Sequence, residues 1–165
     1  CGALLGTTIV SQRYVPEEKT PVLLKDILES NVAEEFYLGE DLEKWKYMKG
    51  AKKIDRTSKT GHSYVFSEGA IAFPDSLDRP ARTMLTSEST KNRSTHVVED
   101  PETKRLRVLT PVECERINGF PDNWTNSGMP QKFRYFCMGN ALVVDLVEKM
   151  GRELKRILDR EKLFL

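Results

Sequence analysis

Residues 105–124, RLRVLTPVECERINGFPDNW, leave the backbone little choice. Leu106, Arg107, Val108 and Leu109 alternate apolar and polar, the pattern of a short half-buried strand. A helix must then begin at once. Thr110 can cap it with its hydroxyl, Pro111 occupies the first helical position, and Glu113 can reach back to the Thr110 amide. Val112 and Ile117 supply an inward stripe, and Gly119 can adopt the left-handed conformation that stops a helix. Phe120, Pro121 and Asp122 force an extended exit. From local physics alone this is a strand–helix corner.

The 165 residues are enough for one domain with a real core, and 39% hydrophobic with 31% charged residues excludes wholesale disorder. Basic and acidic residues balance at 26 against 25, so any nucleic-acid surface must arise by local segregation of charge. No apolar run approaches the ~20 residues that span a bilayer, so no membrane partner is expected. The three cysteines, Cys1, Cys114 and Cys137, show no metal-ligand spacing, and their odd number points to a reduced, cytoplasmic compartment. The chain opens on Cys1 with no initiator methionine, as though in mid-element, and is expected to be a fragment of a longer chain, or a processed or engineered one.

Residues 3–10 read as a strand and residues 11–21 as a polar connector between Pro16 and Pro21. Residues 22–30 and 40–49 have apolar positions at helical spacing. Trp45, among lysines, reads as a buried ring under a snorkelling basic face rather than a stacking platform. Beyond Ile54 the pattern turns to strands at 64–66, 70–73, 82–86 and 96–98. Two polar loops flank them, residues 56–63 before the first strand and 87–94 before the last. Residues 100–104 read as a tight turn. A last helix is expected from about Ala141 to Leu163, with Leu142, Val143, Leu146, Val147, Met150 and Leu154 on one broad apolar face.

Residues 105–124 are similar to the ninth conserved block of the DNA (cytosine-5) methyltransferases, an arginine followed by a form of LTP-ECERLNGFPD. Residues 135–144, YFCMGNALVV, resemble that family's tenth and last block. Two long blocks in the right order are a far stronger signal than a lone glycine motif. The resemblance implies transfer of a methyl group from S-adenosyl-L-methionine to carbon 5 of cytosine in double-stranded DNA, in a bacterial restriction–modification setting. That reaction needs a thiolate to add at carbon 6 and a base turned out of the duplex. The family's Pro-Cys, Glu-Asn and Gly-rich donor blocks are not in this sequence, and Cys114 and Cys137 read as packing thiols. The resemblance therefore assigns no catalytic residue here, and the chain should be inactive alone.

By the same resemblance, residues 1–37 are a connector at the edge of a catalytic domain, 38–108 the target-recognition domain, and 109–165 the closing blocks. The expected fold is α+β: a small, curved, mostly antiparallel sheet region with recognition loops. A helical tail would follow and pack on a doubly wound methyltransferase domain. The two polar loops would face the major groove, where donor and acceptor patterns distinguish every base pair. The DNA-binding candidates are Arg56, Lys59, His62, Arg82, Thr83, Ser87, Lys91, Asn92 and Arg93. Thr83 matches a family threonine that contacts phosphate near the flipped base. Asn140 and Ala141, expected at the mouth of the last helix, match positions that close the donor pocket, most of which lies in the missing N-terminal part. No metal site is expected. The implied partners are DNA and an N-terminal catalytic domain or subunit, with self-association of the chain when that partner is absent. A natural subunit of a split enzyme, or a stand-alone DNA-binding module, are the rival readings.

Overall fold

The computed structural model describes residues 2–11, 13, 15 and 19–162. Cys1, Pro16 and Leu163 lie outside the described residues.

The strand–helix corner forms as its sequence dictates. A turn at residues 100–104 joins β5 (Val97–Glu99) to β6 (Leu106–Val108) in an antiparallel pair. Asp100 Oδ1 organises that turn by accepting from the Glu102 and Thr103 amides, at 3.0 and 2.9 Å. Thr110 then caps α3 (Pro111–Ile117): the Glu113 amide donates to Thr110 Oγ1 at 3.1 Å, and the Thr110 amide to Glu113 Oε2 at 2.8 Å. Gly119 closes the helix at φ +79°.

One residue of the corner departs from the alternation rule. Arg107 points inward and is wholly buried, while Leu106 and Val108 are half-buried. Its guanidinium grips both oxygens of Glu113, at 2.7 and 2.8 Å, and Asp100 Oδ2 at 2.8 Å. A planar fork that finds two carboxylates can be buried where an unpaired charge cannot.

The hydrophobic core packs around this corner: Leu24 and Ile27 from α1 (Leu24–Ile27), Met84, Val98, Leu109 and Cys114, closed by Tyr135 and Met138 of α4 (Gln131–Asn140). The helix expected over residues 22–30 is only this one turn. Its end is taken over by tertiary partners, with Arg116 donating to Ile27 O and the Glu29 amide to Glu113 Oε1.

Before β5 the chain forms α2 (Leu42–Lys49) and a long ribbon, β3 (Lys52–Thr57) paired antiparallel with β4 (Ser63–Glu68). Trp45 is buried as expected. Residues 3–10 are not one strand. They form a hairpin, β1 (Gly2–Leu5) and β2 (Thr8–Ser11), because Gly6 at φ +60° turns the chain back.

The expected α+β class holds, with short antiparallel sheets and helices. The antiparallel sheet region is built, among the described residues, from three separate two-stranded sheets. Residues 70–73 and 82–86, read as strands, are irregular. At the second of these the neighbour is a helix rather than a strand. Gly139 of α4 lies so close that a Cβ there would sit 2.3 Å from the Thr86 nitrogen.

The last helix also differs. α4 ends at Asn140, Ala141 is extended, and α5 (Val144–Lys162) starts afresh with its first amide donating to Asn118 O at 2.9 Å. No helix among the described residues is long and apolar enough to cross a membrane.

Candidate nucleic-acid interface

The β3–β4 hairpin stands clear of the body, and most of its residues are exposed. Register places Arg56 opposite Tyr64 and Ile54 opposite Phe66. The Arg56 guanidinium lies over the Phe66 ring at 4.1 Å, which props the arginine along the strand. At the tip, Ser58 accepts from the His62 amide at 3.1 Å and Gly61 takes φ +83°. Lys59 and His62 extend from this tip into solvent, with no side-chain hydrogen bond among the described residues. The exposed Tyr64 and Val65 were not among the sequence candidates. Alternation along the strand was the signal that could have found Tyr64, because it shares a face with Arg56.

The second loop, residues 87–94, is built differently. Asn92 holds it together from within: Nδ2 donates to Ser87 O at 2.8 Å, and Oδ1 accepts from the Ser94 and Thr95 amides at 2.7 and 3.2 Å. Ser87 Oγ accepts from the same Asn92 amide group. Lys91 pairs with Asp41. Arg93 turns back to the carbonyls of Met48 and Gly50, both at 3.2 Å, and of Gly69. Behind the loop, the buried Lys49 ammonium donates to Thr95 O and Arg93 O, and burial pulls its pKa down to about 8. The equally buried His96 and Glu88 meet through Nδ1 and Oε1 at 3.0 Å.

Arg82 is also committed. It forms a two-pronged pair with Asp75, at 2.6 and 3.0 Å, and donates to Ser94 O. Thr83 beside it is exposed. Both line a cleft of about 380 Å³ whose far wall includes Met138, Gly139 and Ala141. Candidates nearly sixty residues apart in sequence, Arg82 and Thr83 against Ala141, therefore meet at one cleft, whereas Lys59 and His62 stand apart on the hairpin.

Asn140 corrects an expectation. It is the last residue of α4, so it offers no free helix N-terminus: its Nδ2 donates to Phe136 O at 3.1 Å. The Ala141 amide is taken by Met138 O. Asn140 is exposed and its side-chain oxygen makes no hydrogen bond among the described residues, so it leaves one free acceptor that would suit an amino group of S-adenosyl-L-methionine.

Of the two described cysteines, Cys114 is not set up as a nucleophile, and Cys137 packs against the core. Cys114 is fully buried in the core, and burial pushes its thiol well above the ordinary range. Cys137 is half-buried rather than buried. Of the aromatic residues around it, Tyr135 points inward while Phe133 and Phe136 are about half exposed. No group of His, Cys, Asp and Glu suited to a metal ion occurs among the described residues.

The fold resembles part of two solved methyltransferases. An Entamoeba histolytica methyltransferase, EhMeth, superposes with a TM-score of 0.58 at 20% identity, over 89% of this chain and 44% of that one. The S. pombe Dnmt2 methyltransferase does so equally well at 17% identity, over 86% of this chain and 44% of that one. Sequence then narrows the class. Residues 7–156 match the model of the C-5 cytosine-specific DNA methylases, and the chain belongs to that family. It is 52% identical over 157 residues to the type II methyltransferase M.Sau3AI of Staphylococcus aureus. The match covers 94% of this chain but 37% of the relative's length. It is also 28% identical to the type II methyltransferase M.DsaV of Dactylococcopsis salina, over 81% of this chain and 35% of the relative.

Proposed function

We propose that the chain is the DNA-recognition and closing part of a DNA (cytosine-5) methyltransferase. The whole enzyme would transfer a methyl group from S-adenosyl-L-methionine to carbon 5 of cytosine in a specific duplex sequence. Residues 38–108 act as the recognition domain and residues 109–165 as the ninth and tenth blocks. The observation that carries this reading is the division of labour along the family-matching chain. A protruding hairpin bears a basic tip, while the described cysteines sit as packing thiols. Arg56, Lys59 and His62 face the duplex, and Thr83 offers its hydroxyl to a phosphate beside the cleft. Asn140 and Ala141 border the donor pocket, most of which a separate N-terminal domain or subunit supplies. That partner also supplies the thiolate.

The test is co-expression with an N-terminal half that carries the Pro-Cys and Glu-Asn blocks, followed by a methylation assay on defined DNA. Methyl transfer is expected only when both halves are present. Replacing Cys114 or Cys137 by Ser should alter stability more than complemented activity. Methyl transfer by the purified chain alone, abolished by either substitution, overturns the reading.

A further inference from the structure

The two polar loops look alike in sequence but not in structure. At the hairpin tip the Lys59 and His62 side chains make no hydrogen bond among the described residues, whereas Ser87, Lys91, Asn92 and Arg93 of the 87–94 loop are spent on the protein itself. Arg93 is the most telling case. Its Nη1 donates to Met48 O at the end of α2 and to Gly50 O just before β3. Its Nη2 donates to Gly69 O just after β4. One guanidinium therefore joins the carbonyls at both roots of the hairpin. Nε lies 3.8 Å from Glu68 Oε1 on β4 itself. Lys49 holds the Arg93 carbonyl from below and accepts the Ile71 amide at its own carbonyl, so the clamp is anchored to the body. Asn92 fixes the loop from which Arg93 reaches.

We propose that Arg93 is a positioning residue that sets the angle of the β3–β4 hairpin on the body. Sequence choice then belongs to the hairpin tip, at Lys59 and His62, and not to the 87–94 loop. This rests on the DNA-recognition reading above. A guanidinium that already donates to three carbonyls has little left for a phosphate, and its planar fork cannot be reproduced by an ammonium. An exposed two-stranded ribbon held only at its base would otherwise swing. The contacts its tip makes with base edges require it to be held in place.

Two measurements separate the clamp from the reading it rests on. The first is amide hydrogen exchange of the free 165-residue chain, with no DNA present. Arg93→Ala and Arg93→Lys should both speed exchange at Gly50, Ile71 and the root pairs Lys52–Glu68 and Lys53–Ser67. Exchange in β5 and β6 should not change. Unchanged exchange at the root overturns the clamp whatever the chain does with DNA. Should Arg93→Ala melt the whole chain, exchange in Arg93→Lys, which keeps the charge, decides the matter.

The second is selection from a duplex library with a randomised centre, together with binding across a salt series. Lys59→Ala with His62→Ala should lower selectivity about tenfold, the usual cost of a lost base contact. Both Arg93 variants should lower selectivity by a similar factor while the salt slope stays at the wild-type value. If Arg93→Lys restores wild-type binding and Arg93→Ala flattens the slope by about one charge, Arg93 is a phosphate contact and the proposal falls. If the wild-type chain selects nothing, the DNA reading fails, and the exchange experiment still decides the clamp.

Discussion

Arg107 shows how one side chain can organise a corner. Glu113 accepts from four donors: two guanidinium nitrogens of Arg107, the Thr110 amide and the Glu29 amide. Removing the arginine would strand a fully buried carboxylate, so Arg107→Ala is expected to cost about 3–5 kcal/mol in denaturant melts. Arg107→Met should look the same, because the loss lies in Glu113 rather than in packing volume. Asp100 gives this network a pH signature. Burial opposes its ionisation, but the Thr103 amide, the Arg107 guanidinium and the Glu102 amide outweigh that and hold its pKa at about 2. The unfolded chain titrates near 3.9, so the unfolded state takes up a proton first as pH falls. The stabilisation, roughly 2–3 kcal/mol, is complete above about pH 5 and is lost progressively as pH falls through the folded value near 2. Thermal melts across that interval should show a shallower acid limb for Asp100→Asn than for wild type. An identical limb would mean that this carboxylate is not what holds the turn.

Among the elements, those defined by local chemistry were legible in sequence. The capping box of α3, the Gly119 stop, the turn at residues 100–104 and α2 all follow from residues close in the chain. What sequence did not show is set by contacts across the chain. Arg107 points inward because Asp100 and Glu113 converge on it, and the alternation of β6 could not register that. Of the two polar loops, composition could not separate the free tip at Lys59 and His62 from the self-bonded segment at Asn92 and Arg93. The strand expected over residues 82–86 fails because α4 occupies the place of a partner strand. Gly139 permits that approach, since the Leu85 and Thr86 backbone lies within 2.5 Å of where its Cβ would be. Backbone cannot yield as a flexible side chain can. Gly139→Ala should therefore cost about 1–3 kcal/mol or more, despite alanine's better helix propensity. Gly151→Ala in α5, which meets nothing, should instead stabilise its helix slightly. Paired urea melts of the two variants would expose any error in this account, since equal effects would show that close approach is not the cause.

At the scale of the molecule, two apolar surfaces stand open among the described residues. In α5, Leu142 ahead of it and then Leu146, Met150, Leu154, Ile157 and Leu158 are 47–66% exposed. The other face carries the ion pairs Arg152–Glu148 and Lys155–Asp159, which add only a few tenths of a kcal/mol each. The β1–β2 hairpin likewise exposes Leu4, Leu5 and Ile9. For a chain on its own the pattern allows self-association or folding of the helix onto residues 2–10 and 22–30, and the exposure of the stripe shows that the second does not occur here. Burying each aliphatic side chain is worth ~1.5–3 kcal/mol, so several left in water favour association. On the proposed reading the natural cover is the catalytic domain, and without it the chain should self-associate. Light scattering should then find more than a monomer, and adding the catalytic half should convert that species to a one-to-one complex. Leu146→Asp with Val147→Asp should abolish complementation while leaving β3–β4 and the α3 corner folded, because neither side chain belongs to the core. Methylation that survives this pair of substitutions would show that α5 is not the docking element. A monodisperse monomer in which protease cuts α5 at once would count against self-association.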